Sequence, residues 1–178
     1  MADGQRPAVF FDRDGTIMKD VNYCSDPKDV HVFAFVPECL RALKNNGYTL
    51  IMVTNQSGIG RGYFSWEQYE AVHAEVLRQL RVSIDATYVS PDPPGVESDS
   101  RKPAPGMVLK GAREHNVDLS RSIFVGDKEI DVECGRNANI KAIRVQTGFD
   151  ADIATTSADW VAADFAEASQ IILTKLSR

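Results

Sequence analysis

Six residues spread along the chain are of types that together could move a phosphoryl group. Asp12 and Asp14 stand one residue apart in "AVFFDRDGT" (Ala8–Thr16), where an apolar run drives into two carboxylates. Thr54 closes a second apolar run, Lys102 lies in "RKPAP", and Asp127 and Asp131 lie in "VGDKEID". If the first run is a strand that continues through residue 14, Asp12 and Asp14 share a side-chain direction and Arg13 points the other way. Two carboxylates held close repel, and one stays protonated unless a cation intervenes. A hard divalent ion such as Mg²⁺ takes oxygen ligands, using one or two carboxylates together with water and substrate phosphate. In such a site Asp12 could attack phosphorus and form an aspartyl-phosphate. Asp14 could protonate the leaving alcohol and then take a proton from the hydrolytic water. The metal and Lys102 would offset charge on the phosphoryl oxygens.

These residues need a scaffold that brings them together. Short apolar runs alternate with amphipathic segments. Strands are expected at Ala8–Asp12, Tyr48–Thr54, Asp85–Ser90, Ser122–Gly126 and Lys141–Val145, with a small edge strand at Trp160–Ala162. Helices are expected at Pro37–Asn46, from Ser65 to about Leu80, at Pro105–Asn116, at Glu129–Asn137 and at Phe165–Leu176. Ser65 with Gln68 three residues on reads as a capping box, and Tyr69, Val72, Val76, Leu77 and Leu80 follow at helical spacing. Strands alternating with helices at this interval indicate an α/β fold: a three-layer, Rossmann-like parallel sheet with helices on both faces. Such folds bind ligands beyond the carboxyl ends of their strands. Asp12 and Asp14, Thr54 and Asn55, and Asp127 all fall directly after expected strands, and Lys102 follows the polar, proline-rich loop Ser90–Ser100.

The length of 178 residues fits one domain spanning 1–178. A net charge of −5 and a pI near 5.2 argue against a nucleic-acid binder. No stretch is long and apolar enough to span a membrane, and Met1–Pro7 is too short and polar for a secretory signal. Cys24, Cys39 and Cys134 are odd in number and far apart, as expected of a reducing, cytoplasmic compartment. Nothing activates Cys24, and His31, His73 and His115 lack ligand spacing.

The motif set resembles the haloacid dehalogenase superfamily of phosphohydrolases. "DRDGT" matches its first motif, Thr54 after an apolar strand its second, Lys102 in "RKPAP" its third, and "GDKEID" its fourth. The resemblance implies Asp12 as nucleophile, Asp14 as general acid/base, and Thr54 and Lys102 as holders of the phosphoryl oxygens. It implies Mg²⁺ bound by Asp12, the Asp14 carbonyl and Asp127, with Asp131 just outside the ligands or occasionally among them. Neither Asp12–Thr54 nor Thr54–Lys102 has room for a large cap domain, so an open site accepting a terminal phosphate is expected.

"TNQSGIGRG" (Thr54–Gly62), "RKPAPGM" and "VGDKEID" are further similar to the D-glycero-D-manno-heptose 1,7-bisphosphate phosphatases and the related histidinol-phosphate phosphatases. That similarity implies substrate contacts from Asp20–Tyr23 (Asp20 and Tyr23 above all), from Asn55, Gln56 and Ser57, from Arg101, and from Lys128. Arg61 is left outside the site as a turn residue. Many relatives bind zinc before the third motif through cysteines and a histidine. Here that place holds Ser90, Asp92, Ser98 and Ser100, so no zinc is expected. The leading expectation is a monomeric, Mg²⁺-dependent phosphomonoesterase acting on heptose 1,7-bisphosphate, with no nucleic-acid or membrane partner. A histidinol-phosphate phosphatase or a broad small phosphatase is the alternative within the class. Outside it stand a receiver domain that keeps a long-lived aspartyl-phosphate and a catalytically silent binder. The first gains nothing from an acid/base at Asp14, and the intact Asp12, Asp14, Lys102 and Asp127 argue against the second.

Overall fold

A computed structural model describes residues 4–149 and 155–175. Six strands, β1 (Ala8–Phe11), β2 (Thr49–Asn55), β3 (Ala86–Ser90), β4 (Ile123–Gly126), β5 (Lys141–Val145) and β6 (Trp160–Ala162), pair in parallel in the order β3-β2-β1-β4-β5-β6. The chain winds outward from β1 to β3, then returns to lay β4 on the other side of β1. The order therefore reverses at the β1/β4 boundary, the position where open α/β sheets open a crevice at their carboxyl ends.

Strand residues alternate between two cores. Val9, Phe11, Leu50, Met52, Val125 and Ile143 pack with α1 (Val36–Asn45), α3 (Trp66–Leu80) and α6 (Phe165–Lys175). Ala8, Phe10, Ile51, Val53, Phe124 and Ala142 pack with α4 (Gly106–Glu114) and α5 (Glu129–Asn137). The sheet is thus apolar on both faces, which is why its inner strands read as continuous apolar runs. The capping box of α3 forms: the Gln68 N–H donates to Ser65 Oγ (3.2 Å) and the Ser65 N–H to Gln68 Oε1 (2.9 Å).

Most boundaries agree with the sequence reading to within two residues. Three details differ. Leu77, expected on the apolar face of α3, is 37% exposed. A one-turn helix, α2 (Ser57–Gly60), forms where a loop was expected. β1 stops at Phe11, before either of the first motif's further residues. The expected end of the last helix, Leu176, lies outside the described residues. Among the described residues no helix is long and apolar enough to cross a membrane.

Candidate active site

Because β1 pairs with β4 in the register Phe11–Val125, Asp12 and Asp127, each the residue that follows its strand, come out at the same end of neighbouring strands. The Asp12 N–H donates to the Val125 carbonyl (3.0 Å), extending the ladder by one bond before the chain turns. The turn closes on the Arg13 carbonyl, which accepts from the Ile17 N–H (3.1 Å). Gly15 sits in it at φ +78°, and a Cβ there would run into the Asp127 carboxylate. Only glycine satisfies both demands.

With the strand ended at Phe11, alternation no longer governs Arg13. The expectation that it points away from its neighbours is corrected. Arg13 is fully buried, and its Nε and Nη2 donate to the two carboxylate oxygens of Asp14 (3.1 Å each). Its guanidinium lies 5.6 Å over the Tyr69 ring of α3. Gln56 Nε2 adds a third bond to Asp14 Oδ2 (2.9 Å) and a bond to Thr54 Oγ1 (2.9 Å). Asp14 is therefore held in one orientation by residues of two different loops. Arg13 is a site residue that strand periodicity conceals.

Lys102 is buried and its ammonium is surrounded by acceptors. Nζ donates to the Val53 carbonyl (2.9 Å) and forms ion pairs with Asp12 Oδ1 (2.8 Å) and Asp131 Oδ1 (2.7 Å). Asn55 holds the main chain of Lys102 through two bonds: Nδ2 donates to its carbonyl (3.1 Å) and Oδ1 accepts from its N–H (3.0 Å). The Asn55 amide, expected on substrate, also places the lysine, and keeps a further N–H.

Asp12, Asp127 and Asp131 each offer a carboxylate oxygen within 4.8 Å of the others. Asp127 Oδ2 is buried without a hydrogen-bond partner among the described residues. Burial first, then the Asp12 and Asp131 charges, pushes the Asp127 carboxyl up to about 8. Asp12 is pushed up to about 6, chiefly by burial, with Lys102 acting against the rise. Burial alone would lower the Lys102 ammonium, but the Asp12 and Asp131 carboxylates outweigh it and hold it above its ordinary range. Three crowded carboxylates with an orphaned oxygen are the donor set a hard divalent cation takes. Asp131 belongs to this cluster and also forms an ion pair with Lys102.

Around these groups lies a cavity of about 210 Å³. Asp12, Asp14, Lys102 and Asp131 line its floor, and Thr54 and Asp127 stand behind it, at most 1% exposed. Asp20, Tyr23, Asn55, Gln56, Ser57, Arg101 and Lys128 form its walls, so every expected substrate residue faces this one space. Lys128 Nζ meets Asp20 Oδ2 across it at 3.3 Å. Asn22, inside the expected Asp20–Tyr23 stretch, and Ile130, inside the fourth motif, also line it, although neither was singled out there. Asn22 (φ 51°) and Tyr23 (φ 55°) are consecutive left-handed residues, a costly conformation for tyrosine. The Asp20 carboxylate accepts the Asn22 N–H (3.0 Å), and the Tyr23 ring packs edge-on against Tyr63 at 4.9 Å. Cys24 reaches the cavity too, but burial pushes its thiol up to about 11, away from reactivity.

Residues 7–173 match the family model described as polynucleotide kinase 3 phosphatase. The chain belongs to this family of haloacid dehalogenase phosphatases. It is 36% identical to the D-glycero-D-manno-heptose-1,7-bisphosphate 7-phosphatase of Thermosynechococcus vestitus, covering 97% of this chain and 98% of that one. It is 35% identical to the D-glycero-beta-D-manno-heptose-1,7-bisphosphate 7-phosphatase of Yersinia pestis, over 93% and 95%. The D,D-heptose 1,7-bisphosphate phosphatase from B. bronchiseptica, solved with magnesium and phosphate, superposes with a TM-score of 0.86 at 28% identity, over 94% of this chain and 98% of that one. In this haloacid dehalogenase phosphatase the four motifs converge on one cavity, each carried there by the end of a strand or the loop after it.

Proposed function

We propose that the chain is a Mg²⁺-dependent phosphomonoesterase that removes the 7-phosphate of D-glycero-D-manno-heptose 1,7-bisphosphate through an aspartyl-phosphate on Asp12. The observation that carries the reading is the Asp12 carboxylate at the β1/β4 crevice, with one oxygen 2.8 Å from Lys102 and the rest of its surroundings supplied by Asp127 and Asp131. The similarity over nearly the whole chain to heptose-bisphosphate phosphatases supports the choice of substrate.

Asp12, Asp127 and Asp131 would hold the Mg²⁺ ion, which when bound offsets the negative charge of the carboxylates and the phosphoryl group. In the first step a carboxylate oxygen of Asp12 attacks phosphorus. The bond from phosphorus to the C7 oxygen breaks, and Asp14 gives its proton to that oxygen. In the second step water attacks phosphorus and Asp14 takes the water's proton. The bond from phosphorus to Asp12 breaks, releasing inorganic phosphate and restoring both carboxyl groups. Gln56 and Arg13 keep the Asp14 carboxyl at the cavity floor for both transfers. Arg101 and Lys128 supply positive charge on the walls for the part of the substrate remote from C7.

Phosphate release across a panel containing heptose 1,7-bisphosphate, histidinol phosphate and simple sugar phosphates tests the assignment. The bisphosphate is expected to give the highest kcat/KM. A preference for histidinol phosphate would move the protein to that activity. Stable labelling of Asp12 with no turnover of any ester would make it a receiver.

A further inference from the structure

Arg101 is a partly buried cation near Arg61 and the Asp92 carboxylate. Among the described residues no carboxylate pairs with it; its Nη1 donates to a neutral acceptor, the Asp92 carbonyl (2.7 Å). Its main-chain N–H donates to Ser98 Oγ (3.0 Å). The same hydroxyl accepts the Ser100 N–H (3.2 Å) and donates its own proton to Asp92 Oδ2 (2.6 Å). A serine hydroxyl has one proton and two lone pairs, so Ser98 is saturated. Ser90, buried at the end of β3, donates to the same Asp92 oxygen (3.3 Å). The carboxylate thereby fixes the direction of the Ser98 proton and leaves both lone pairs to the backbone of residues 100 and 101.

The loop that carries this hub is tied to the opposite wall of the cavity. The Gln56 N–H donates to the Ser90 carbonyl (2.7 Å) and the Gly60 N–H to the Pro91 carbonyl (3.2 Å). A Cβ at Gly60 would collide with that carbonyl, so the close approach requires glycine. The guanidinium is thus aimed by a chain of bonds running from β2 and β3 through Ser90, Asp92 and Ser98.

We propose that Asp92 and Ser98 are positioning residues that fix Arg101 toward the anionic part of the substrate remote from the reacting phosphorus, and so select among phosphate esters without entering the chemical step. The inference rests on the substrate-binding part assigned to Arg101 above. A loop turn that merely stabilised the fold would lower activity on every substrate alike.

Steady-state kinetics on heptose 1,7-bisphosphate and on p-nitrophenyl phosphate, which has no second anionic group, separate the two. Ser98→Ala and Asp92→Ala should each raise KM for the bisphosphate by about tenfold, the worth of one charge-assisted contact. They should leave kcat, and both constants for p-nitrophenyl phosphate, within about twofold. Ser98→Thr, which keeps the hydroxyl, should behave as wild type and shows that the loop still folds. In an Arg101→Ala background, Ser98→Ala should add nothing. Equal losses on both substrates, or the same loss with and without Arg101, would overturn the proposal. If the wild type prefers another ester of the panel, the substrate assignment fails. The Ser98/Arg101 cycle on that preferred ester then decides the positioning role by the same criterion.

Discussion

Arg13 shows how the pair of aspartates is made unequal. Asp12 faces a buried ammonium and two further carboxylates, while Asp14 faces a buried guanidinium and an amide. The ammonium favours the ionised Asp12 that must attack, against the neighbouring carboxylates, while the guanidinium and the amide hold the Asp14 carboxyl in one orientation for proton transfer. Replacing Arg13 by Met leaves Gln56, among the described residues, as the remaining side-chain donor to Asp14. We expect kcat to fall by about 10²-fold with KM nearly unchanged, read by steady-state kinetics on any ester that wild type turns over. An unchanged kcat would remove Arg13 from the account. The acidic cluster makes a prediction about pH. Asp12 and Asp127 have carboxyls raised to about 6 and about 8, above their ordinary value, so the metal-free folded protein holds more protons than the unfolded chain across that range. Their contribution to stability is fully present below about pH 4 and is lost as pH rises through 6 and then 8. Metal binding needs the ionised forms and is favoured over the same interval. The rise in melting temperature on adding Mg²⁺ should therefore be larger near pH 8 than near pH 5.5, and Asp127→Asn should reduce it. Equal rises at both pH values would show that these carboxyls do not bind the ion.

Among the elements, α3 tests which side chains make the core. Leu80 is fully buried against the β1–β2 face while Leu77, three residues earlier, is 37% exposed. Leu80→Ala should cost about 2–5 kcal/mol and Leu77→Ala less than about 1 kcal/mol, compared by urea unfolding. Equal costs would mean that the helix is rotated from its described orientation. Both leucines sit at helical spacing in the sequence, and spacing alone cannot tell the centre of an apolar stripe from its margin. The strands were legible because a sheet covered on both faces needs unbroken apolar runs, and three of the four motifs begin where such a run ends, the third following a polar loop. What escaped the sequence reading depends on pairing between distant segments. Asn55 bonds to the backbone of Lys102, 47 positions on. Arg13 turns because β1 stops at Phe11, with the apolar run, and does not continue into the first motif. The Asp92–Ser98 hub looks like ordinary loop polarity until β3 and α2 bring its parts together.

At the scale of the whole molecule, the strand order places every chemical group at one end of the sheet. β1 and β4 deliver Asp12 and Asp127, β2 delivers Thr54 and Asn55, and the loop after β3 delivers Arg101 and Lys102. We propose that this convergence makes Asp12 the nucleophile and Asp14 its proton carrier. Acid-quenching the protein during turnover of heptose 1,7-bisphosphate and mapping its peptides by mass spectrometry tests that claim most directly. Asp14→Asn, slowed in the proton-dependent steps, should carry a phosphoryl group on the Asp12 peptide, and Asp12→Asn should carry none and release no phosphate. Phosphate release by Asp12→Asn at the wild-type rate, or a phosphoryl group on any other residue, would contradict it.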